Sequence, residues 1–153
     1  MEMQIVNYEP RLQSYFEKLN RRWLEEYFTV EPIDQQVLEN PQEYIIDRGG
    51  TILFAVSENL ILGTVALKPA EPGILEMTKM AVDVSYIGRG VGKRLCEAAI
   101  QTAIKQCASR VILYSNTKLT PAIQLYRKMG FIEVPLHTRL YQRADIMMER
   151  VLE

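Results

Sequence analysis

Hydrophobic and polar positions along this 153-residue chain alternate between a period of two and a period near 3.6. The β-type stretches are bounded by glycine, proline or asparagine, and helical stretches lie between them. Strands are predicted at 3–8, 51–56, 60–68, 74–82, 110–115, 131–134 and 143–151. Helices are predicted at 10–28, 32–46 with a break at Asn40-Pro41, 90–107 and 121–129. This order predicts a single domain over residues 1–153 with an α/β (α+β) fold, in which helices pack on a mixed sheet.

The helix predicted over 90–107 is amphipathic. Its predicted polar stripe is formed by Lys93, Glu97, Gln101 and Lys105. Its predicted core face is formed by Leu95, Ala99, Ala103 and Cys107. Because residues four apart lie on one face of a helix, the pattern predicts that this helix packs with one side against the sheet.

The charge balance disfavours partners that need a strong overall field. With 18 basic and 19 acidic residues the net charge is -1, so neither nucleic acid nor a membrane surface is predicted as a partner. No apolar run reaches the roughly 18 residues of a membrane span, and the N-terminus lacks a signal-peptide pattern, which predicts a cytoplasmic protein.

Cys96 and Cys107 would lie roughly 16 Å apart on one helix, too far for a disulfide, and no Cys/His spacing indicates a metal site.

The most informative local motif is a glycine-rich turn between the strand at 74–82 and the helix that follows it. Gly88, Gly90 and Gly92 fall within five residues, although a tight turn needs only one glycine. Glycine in a first helical turn costs roughly 0.5–1 kcal/mol relative to alanine. The motif therefore predicts that phosphate groups of a ligand approach the bare backbone at a helix N-terminus, where N–H groups and the positive dipole end are free.

This turn does not match the two standard phosphate-binding fingerprints. A P-loop needs glycine where Ile87 stands and Ser or Thr where Arg94 stands. A dinucleotide fingerprint needs a third glycine at the position of Lys93. It also needs an acidic residue about 20 positions later, where residues 111–113 of this chain are Val-Ile-Leu. What remains is a nest of N–H groups flanked by the cations of Arg89, Lys93 and Arg94, which could also be ordinary solvated charges at a helix start.

Residues 80–131 resemble the GNAT superfamily of N-acetyltransferases. The resemblance rests on a strand, the glycine turn and a helix, followed by a second strand with Asn116 and then Ala122-Ile-Gln-Leu-Tyr-Arg-Lys-Met-Gly-Phe131. It implies a strongly bent mixed sheet of about seven strands flanked by about four helices. It also implies that the fourth and fifth strands splay apart, that acetyl-CoA lies in the V-shaped gap, and that the thioester points at an acceptor amine.

The resemblance also implies roles for individual residues. The backbone near Met80 and Val82 would meet the pantetheine arm, residues 87–93 would wrap the pyrophosphate, and Tyr126 would protonate the departing CoA thiolate. The implied cofactor-binding residues are Met80, Ala81, Val82, Ile87, Gly88, Arg89, Gly90, Val91, Gly92, Lys93, Asn116, Ala122 and Tyr126. Ile87 departs from the family pattern, which usually has Gln or Arg there, and this weakens the match. Tyr126 also has a simpler interpretation as a core residue of an amphipathic helix.

A base is needed as well, because an amine of the lysine type has a pKa near 10.4 and must lose a proton before it attacks. Glu76 is the candidate, acting directly or through a water, since a carboxylate in mid-strand among apolar neighbours tends to have a raised pKa. Strand alternation places it on one face with Thr78, Met80 and Val82, unless a bulge changes the face. The alternative is a partly exposed carboxylate paired with a neighbouring cation.

The acceptor amine is expected to meet an aromatic wall with a carboxylate, formed by the first two helices and the loop between them. The candidate residues are Trp23, Tyr27, Phe28 and Glu31. The alternative interpretation makes Trp23 and Tyr27 core residues and Glu31 the cap of the helix begun by Pro32. Nothing in the sequence selects between small amines, polyamines, amino acids, antibiotics and protein amines.

The predicted function is therefore an acetyl-CoA-dependent N-acetyltransferase that acts on a small-molecule or peptide amine and uses no metal. The alternative from another class is a non-catalytic CoA-binding sensor or interaction module of the same fold. A generic nucleotide-binding domain is disfavoured because both phosphate fingerprints fail. A homodimer is possible through an exposed sheet edge or the C-terminal strand.

Overall fold

The computed structural model describes residues 2–137 and 140–152. Within these residues a seven-stranded mixed sheet has the strand order β1-β2-β3-β4-β5-β7-β6. The strands are β1 (Gln4–Asn7), β2 (Thr51–Ser57), β3 (Leu60–Glu71), β4 (Ile74–Val82), β5 (Arg110–Ser115), β6 (Ile132–Val134) and β7 (Ile146–Val151). The helices are α1 (Gln13–Tyr27), α2 (Pro32–Glu39), α3 (Pro41–Tyr44), α4 (Val91–Lys105) and α5 (Thr120–Lys128). The α/β fold is confirmed, with five helices where about four were predicted.

The centre of the sheet opens where its one parallel pair of described strands comes apart. β4 and β5 pair at only three positions, which are Ile74 with Arg110, Leu75 with Val111, and Glu76 with Ile112. Beyond these positions β4 keeps β3 as its neighbour, and β5 keeps β7. The two strands therefore diverge on either side of a gap, as the resemblance implied.

Each face of the sheet carries its own hydrophobic core. On one face α4 packs against the sheet through a cluster that includes Leu95, Ala99 and Ala103, and its predicted polar stripe is exposed. On the other face α1 and α2 bury Phe16 and Leu38 against β2 and β3. The predicted faces of α4 are thus confirmed, except that Cys107 lies beyond the helix end, is exposed, and has a positive φ of 60°.

A bulge in β4 overturns the simple alternation expected for this strand. Lys79 has a φ of 57°, and the register with β3 shifts at this point. As a result Met80 and Val82 pack with Met77 on the α4 face of the sheet. They do not share the face of Glu76, because the extra residue reverses the in–out order of everything after it.

The strand boundaries that differ most from the sequence prediction are the end of β3 and the start of β7. β3 runs through Pro69 to Glu71, where a loop was predicted, and a proline is tolerated there because the register is irregular between those two residues. β7 begins at Ile146 and not at Arg143, since the Arg143 side chain is bonded to α2 and its segment leaves the sheet.

β7 lies between β5 and β6, so it does not form a sheet edge. Among the described strands the edges are β1 and β6, and the homodimer stays a prediction. The helices in the described part of the chain are too short or too polar to cross a lipid bilayer.

Candidate active site

The gap between β4 and β5 opens into a cavity of about 470 Å³. Its walls come from the end of α1, the second half of β4, the turn into α4, the end of β5, α5, and the segment before β7. These elements are brought together because β4 and β5 separate after Glu76, while α4 and the α1–α2 pair cover opposite faces of the sheet. The cavity thus reaches both hydrophobic layers of the molecule.

Most residues predicted to bind a cofactor line this cavity. They are Met80, Ala81, Val82, Ile87, Gly88, Gly90, Val91, Gly92, Lys93, Asn116, Ala122 and Tyr126. Arg89 is the exception, because its guanidinium lies over the Tyr86 ring, 5.8 Å from the centroid, and not among the lining residues. The glycine turn at 88–92 and the segment 122–131 are separate in the sequence, but residues of both line the same cavity.

The glycine turn owes its shape to backbone conformation and not to crowding. Gly88 has a φ of 83° and Gly90 a φ of 80°, and a Cβ at either position would meet no atom within 4 Å. Both glycines are therefore needed for the left-handed backbone that side-chain-bearing residues avoid. Gly92 has an ordinary φ, and a Cβ there would meet Leu125 at 3.7 Å inside the cavity wall.

The N-terminus of α4 presents free donors to the cavity. The first bond of the helix runs from the Arg94 N–H to the Gly90 carbonyl, at 3.0 Å. The N–H groups of residues 91–93 have no acceptor within the helix, and the positive end of the helix dipole lies at the same place. This donor set, on a turn with open space around its glycines, fits a pyrophosphate group.

Tyr126 belongs both to the hydrophobic packing and to the cavity wall. Its ring packs edge-on against Phe131 with centroids 6.1 Å apart, and it also lines the cavity. Burial raises the pKa of its phenol above the ordinary value, so the group keeps its proton at neutral pH. α5 carries the tyrosine and ends at Lys128, and Gly130, two residues further on, has the left-handed φ of 92° that was predicted for the helix terminus.

Asn116 follows β5 and organises the loop around it. Its Nδ2 donates to the Arg143 carbonyl at 2.8 Å, and its Oδ1 accepts from the Lys118 N–H at 3.0 Å. The side chain thereby connects the end of β5 to the segment before β7. It lines the cavity while its amide is used in these two contacts.

Glu76 lies at the point where β4 and β5 part, and it is buried, with 2% of its surface exposed. It does not line the cavity; Tyr141 does, and the Tyr141 hydroxyl donates to Glu76 Oε2 at 2.8 Å. The Thr78 hydroxyl lies 3.4 Å from the same tyrosine oxygen. Burial excludes the partly exposed carboxylate of the alternative interpretation.

A buried charge network, which the sequence did not predict, borders the same end of the cavity. Asp34 on α2 is fully buried and contacts Lys79 Nζ at 3.0 Å. It also accepts two bonds from the Arg143 guanidinium, at 2.7 and 2.9 Å. Lys79 and Arg143 both line the cavity. The network links α2, β4 and the segment before β7.

Opposing influences act on the pKa values in this network. Burial alone would raise the pKa of Asp34, but the hydrogen bonds from Arg143 and the charge of Lys79 outweigh it, so the pKa is lowered. Burial lowers the pKa of Lys79, and Asp34 opposes this effect. No local pattern reveals the network, because its members are separated by up to 109 residues in the chain.

The predicted acceptor residues divide into two pairs. Trp23 and Phe28 line the cavity with their rings 5.8 Å apart. Tyr27 is 48% exposed and packs on Trp23 outside the cavity lining. Glu31 forms the capping box of α2 with Asp34 and bonds Arg143 at 3.2 Å, which agrees with its alternative role as a helix cap.

The residues described here contain no group of three or more His, Cys, Asp or Glu side chains that could hold a metal ion.

Comparison with known proteins identifies the family. The sequence model described as the acetyltransferase (GNAT) family matches residues 13–131. The chain therefore belongs to the GNAT acetyltransferase family and is an enzyme of the acyltransferase class, whose members use acetyl-CoA.

Sequence relatives agree with this assignment. An uncharacterized N-acetyltransferase of Schizosaccharomyces pombe is 31% identical over 121 residues, covering 76% of this chain and 74% of the relative. N-acetylaspartate synthetase of Xenopus tropicalis is 30% identical over 94 residues, covering 61% of this chain and 35% of that protein. The chain thus aligns with only about a third of the synthetase.

Solved structures share the fold. A GNAT-family acetyltransferase from Staphylococcus aureus superposes with a TM-score of 0.88 at 22% identity, covering 99% of this chain and 100% of that one. The PaiA N-acetyltransferase from Thermoplasma acidophilum, solved in complex with coenzyme A, gives a TM-score of 0.77 at 16% identity, with 99% and 100% coverage.

Proposed function

We propose that this chain transfers the acetyl group of acetyl-CoA to a primary amine by direct attack in a ternary complex. The observation that carries the proposal is one continuous cavity that contains the open N-terminus of α4, the Tyr126 phenol, and the aromatic wall of Trp23 and Phe28. In the proposed complex both substrates would occupy this cavity, so the amine would attack acetyl-CoA directly.

The cofactor half of the cavity supports the assignment by its donors. Free N–H groups at 91–93 would hold the pyrophosphate, and Lys93 adds a cation beside them. The part of β4 around Met80 and Val82 has no strand on its β5 side, so its backbone faces the gap where the pantetheine arm would lie. Ile87 is 62% exposed, so it does not obstruct this arrangement.

The chemistry requires an amine lone pair to attack the thioester carbon and the C–S bond to break. One nitrogen proton must leave before attack, with Glu76 as the candidate base that takes it up, and a second is lost from the tetrahedral adduct as the amide forms. Tyr126 supplies a proton to the departing thiolate, and the second nitrogen proton then restores Tyr126. Its raised pKa keeps it protonated until sulfur becomes basic, and the same apolar burial raises the basicity of the thiolate.

The acceptor is proposed as a primary amine and no narrower class. One relative is named for the synthesis of N-acetylaspartate, and others are named mycothiol acetyltransferase. The aromatic residues Trp23 and Phe28 at the acceptor side suit the apolar part of an amine-bearing molecule. Action in the cytoplasm and assembly as a homodimer stay predictions.

Binding is tested first, by thermal unfolding with and without acetyl-CoA, with ATP and NAD as controls. A ligand at 100 times its dissociation constant adds about 2.7 kcal/mol to the free energy of unfolding, so we expect a raised midpoint with acetyl-CoA alone. Equal shifts with ATP would favour the nucleotide-binding alternative. No shift at saturating acetyl-CoA would contradict the proposal.

Catalysis is tested by release of free CoA thiol in the presence of an amine panel. The panel contains amino acids, polyamines, aminoglycosides, peptides with free N-termini or lysines, 2-phenylethylamine and 2,2,2-trifluoroethylamine. Acceptor-dependent release supports the transferase. Tight acetyl-CoA binding without release for any amine would favour the non-catalytic sensor.

A further inference from the structure

The buried carboxylate of Glu76 can reach the cavity only through another group. Glu76 is 2% exposed and does not line the cavity, whereas Tyr141 lines it and lies between. The Tyr141 hydroxyl, 2.8 Å from Glu76 Oε2, is the contact between carboxylate and cavity wall. An amine bound in the cavity would therefore meet the tyrosine oxygen before it could meet the carboxylate.

The hydrogen bonds around this hydroxyl have a direction. A phenol has one proton, and Tyr141 donates it to Glu76. Because that proton is used, the Thr78 hydroxyl, 3.4 Å away, is the donor in its contact with the tyrosine oxygen. The oxygen keeps acceptor capacity for an N–H group arriving from the cavity. The chain of donors thus runs from the cavity through Tyr141 to Glu76.

The tyrosine ring is held in place on several sides. Lys79 Nζ lies 4.8 Å from the ring centroid and Arg143 Cζ lies 4.7 Å from it. The Tyr114 ring packs edge-on at 5.9 Å. The charged groups that act on Tyr141 and its neighbours are Glu76, Asp34, Lys79, Arg143 and, through Arg143, Glu31. This packing holds the hydroxyl at Glu76 with little freedom to turn away.

We propose that Tyr141 carries the proton from the acceptor ammonium to Glu76, an inference that rests on the acetyl transfer proposed above. The ammonium N–H bond breaks as its proton binds the tyrosine oxygen, while the original Tyr141 proton moves to Glu76 Oε2. The products are a neutral amine, a neutral tyrosine and a protonated Glu76. After product release the proton returns along the same path to solvent.

The proton step is required because only about 0.04% of an amine with a pKa near 10.4 is neutral at pH 7. Burial, followed by the charge of Glu76, raises the pKa of Tyr141, so a lasting phenolate is disfavoured. Tyr141 therefore acts by exchanging one proton for another, and Glu76 is the group that stores it.

The test compares Tyr141→Phe, Glu76→Gln and the double variant, with 2-phenylethylamine as the acceptor. Each single variant is expected to lower kcat/KM at neutral pH by about 100-fold, in the usual range for lost proton transfer. The double variant should lose no more than either single variant, because the two residues act as one unit. The loss should shrink as pH rises towards the acceptor pKa, since the neutral amine no longer needs the relay.

A second acceptor separates proton transfer from a packing effect. Fluorine substituents keep 2,2,2-trifluoroethylamine neutral at the assay pH, so the single variants should acetylate it at nearly the wild-type rate. Tyr15→Phe is the matched control, because it removes the hydroxyl of an exposed tyrosine of α1 that does not line the cavity. The Tyr141→Phe substitution keeps the ring that packs against Tyr114.

The outcomes are distinguishable. A Tyr141→Phe enzyme with wild-type kcat/KM for 2-phenylethylamine at neutral pH would overturn the relay and leave the acetyl transfer standing. Equal losses for both amines, or losses that multiply in the double variant, would also overturn the relay. A wild-type enzyme that binds acetyl-CoA but releases no CoA with any amine would contradict the proposed function and the relay together.

Discussion

The two ends of the cavity are built in opposite ways. At the α4 end the wall is an exposed turn whose contacts are backbone groups, and a Cβ on Gly88 or Gly90 would meet nothing within 4 Å. At the other end Asp34 is fully buried and bonded to Lys79 and Arg143. One end depends on the conformation of seven consecutive residues, 87–93, and the other on contacts between distant segments.

The backbone turn before α4 and the buried side-chain network at the other end of the cavity suit different kinds of ligand. Backbone N–H groups recognise a phosphate whatever the neighbouring side chains are, so we expect the proposed phosphate site to tolerate an unusual residue such as Ile87. Proton transfer and acceptor recognition need side chains fixed to within a fraction of an ångström, and a packed charge network provides that rigidity. Substitutions at the two ends should therefore differ in their effects on stability and on cofactor binding.

The largest expected effect on stability is at the buried network. Asp34→Asn removes the charge that compensates Lys79 and Arg143, and we expect it to lower the free energy of unfolding by about 3–5 kcal/mol, measured by urea denaturation. Glu17→Gln is the control, because Glu17 pairs with Arg21 near the surface and should cost only about 0.3–0.5 kcal/mol. Equal losses for the two variants would show that burial does not set the strength of the network.

The Tyr126→Phe variant separates chemistry from cofactor binding. Loss of the proton donor should lower kcat by about 100-fold, while the thermal shift given by acetyl-CoA stays at the wild-type value, because the ring still packs against Phe131. The measurement is steady-state CoA release beside an unfolding curve. An unchanged kcat would restrict Tyr126 to a packing role.

Acid should reversibly weaken the buried network of Asp34, Lys79 and Arg143. The pKa of Asp34 is lowered in the folded protein, so its contribution to stability is present above the unfolded value of about 3.9 and is lost as pH falls through the lower folded value. Urea midpoints measured from neutral pH down to about pH 2 should fall less steeply in Asp34→Asn than in the wild type below about pH 4. If the urea midpoints of the two proteins fell equally with pH, the loss of stability in acid would not come from protonation of Asp34.

At the turn, Gly90→Ala should cost about 1–2 kcal/mol, because alanine must adopt the left-handed conformation at a φ of 80°. Gly92→Ala is the paired control. Its φ is ordinary and its new methyl would lie 3.7 Å from Leu125, so we expect a gain of about 0.5–1 kcal/mol in the absence of ligand. Thermal or urea unfolding of both variants decides the point, and similar costs at 90 and 92 would refute the conformational explanation.

The smallest expected effect is at Ile87. Ile87→Arg places an exposed cation beside the proposed phosphate site and should tighten acetyl-CoA binding about two- to five-fold, as expected for an exposed ion pair of about 0.4–1 kcal/mol. The gain should disappear at high salt, and Ile87→Gln should not show the same salt dependence. A gain of the same size in high salt would exclude an electrostatic cause.

Local patterns predicted the α4 end well. Three predicted features depend only on neighbouring residues, and the structure confirms them. They are the amphipathic period of α4, the glycine turn before it, and the left-handed Gly130 that follows α5. The aromatic wall was predicted in part. Helical spacing grouped Tyr27 with Trp23, but of these two residues only Trp23 lines the cavity. Alternation failed in β4, since the bulge at Lys79 arises from pairing with β3 and leaves no clear local mark.

The sequence by itself determined the order of elements, the glycine turn and the family resemblance, because each depends on residues that are close along the chain. Only the tertiary structure decided that Tyr141 covers Glu76 and that Arg143 reaches Asp34, over separations of 65 and 109 residues. Those contacts exist because β4 and β5 part after Glu76 and the segment before β7 folds back to α2. Burial then makes each charge depend on a partner that no sequence period can indicate.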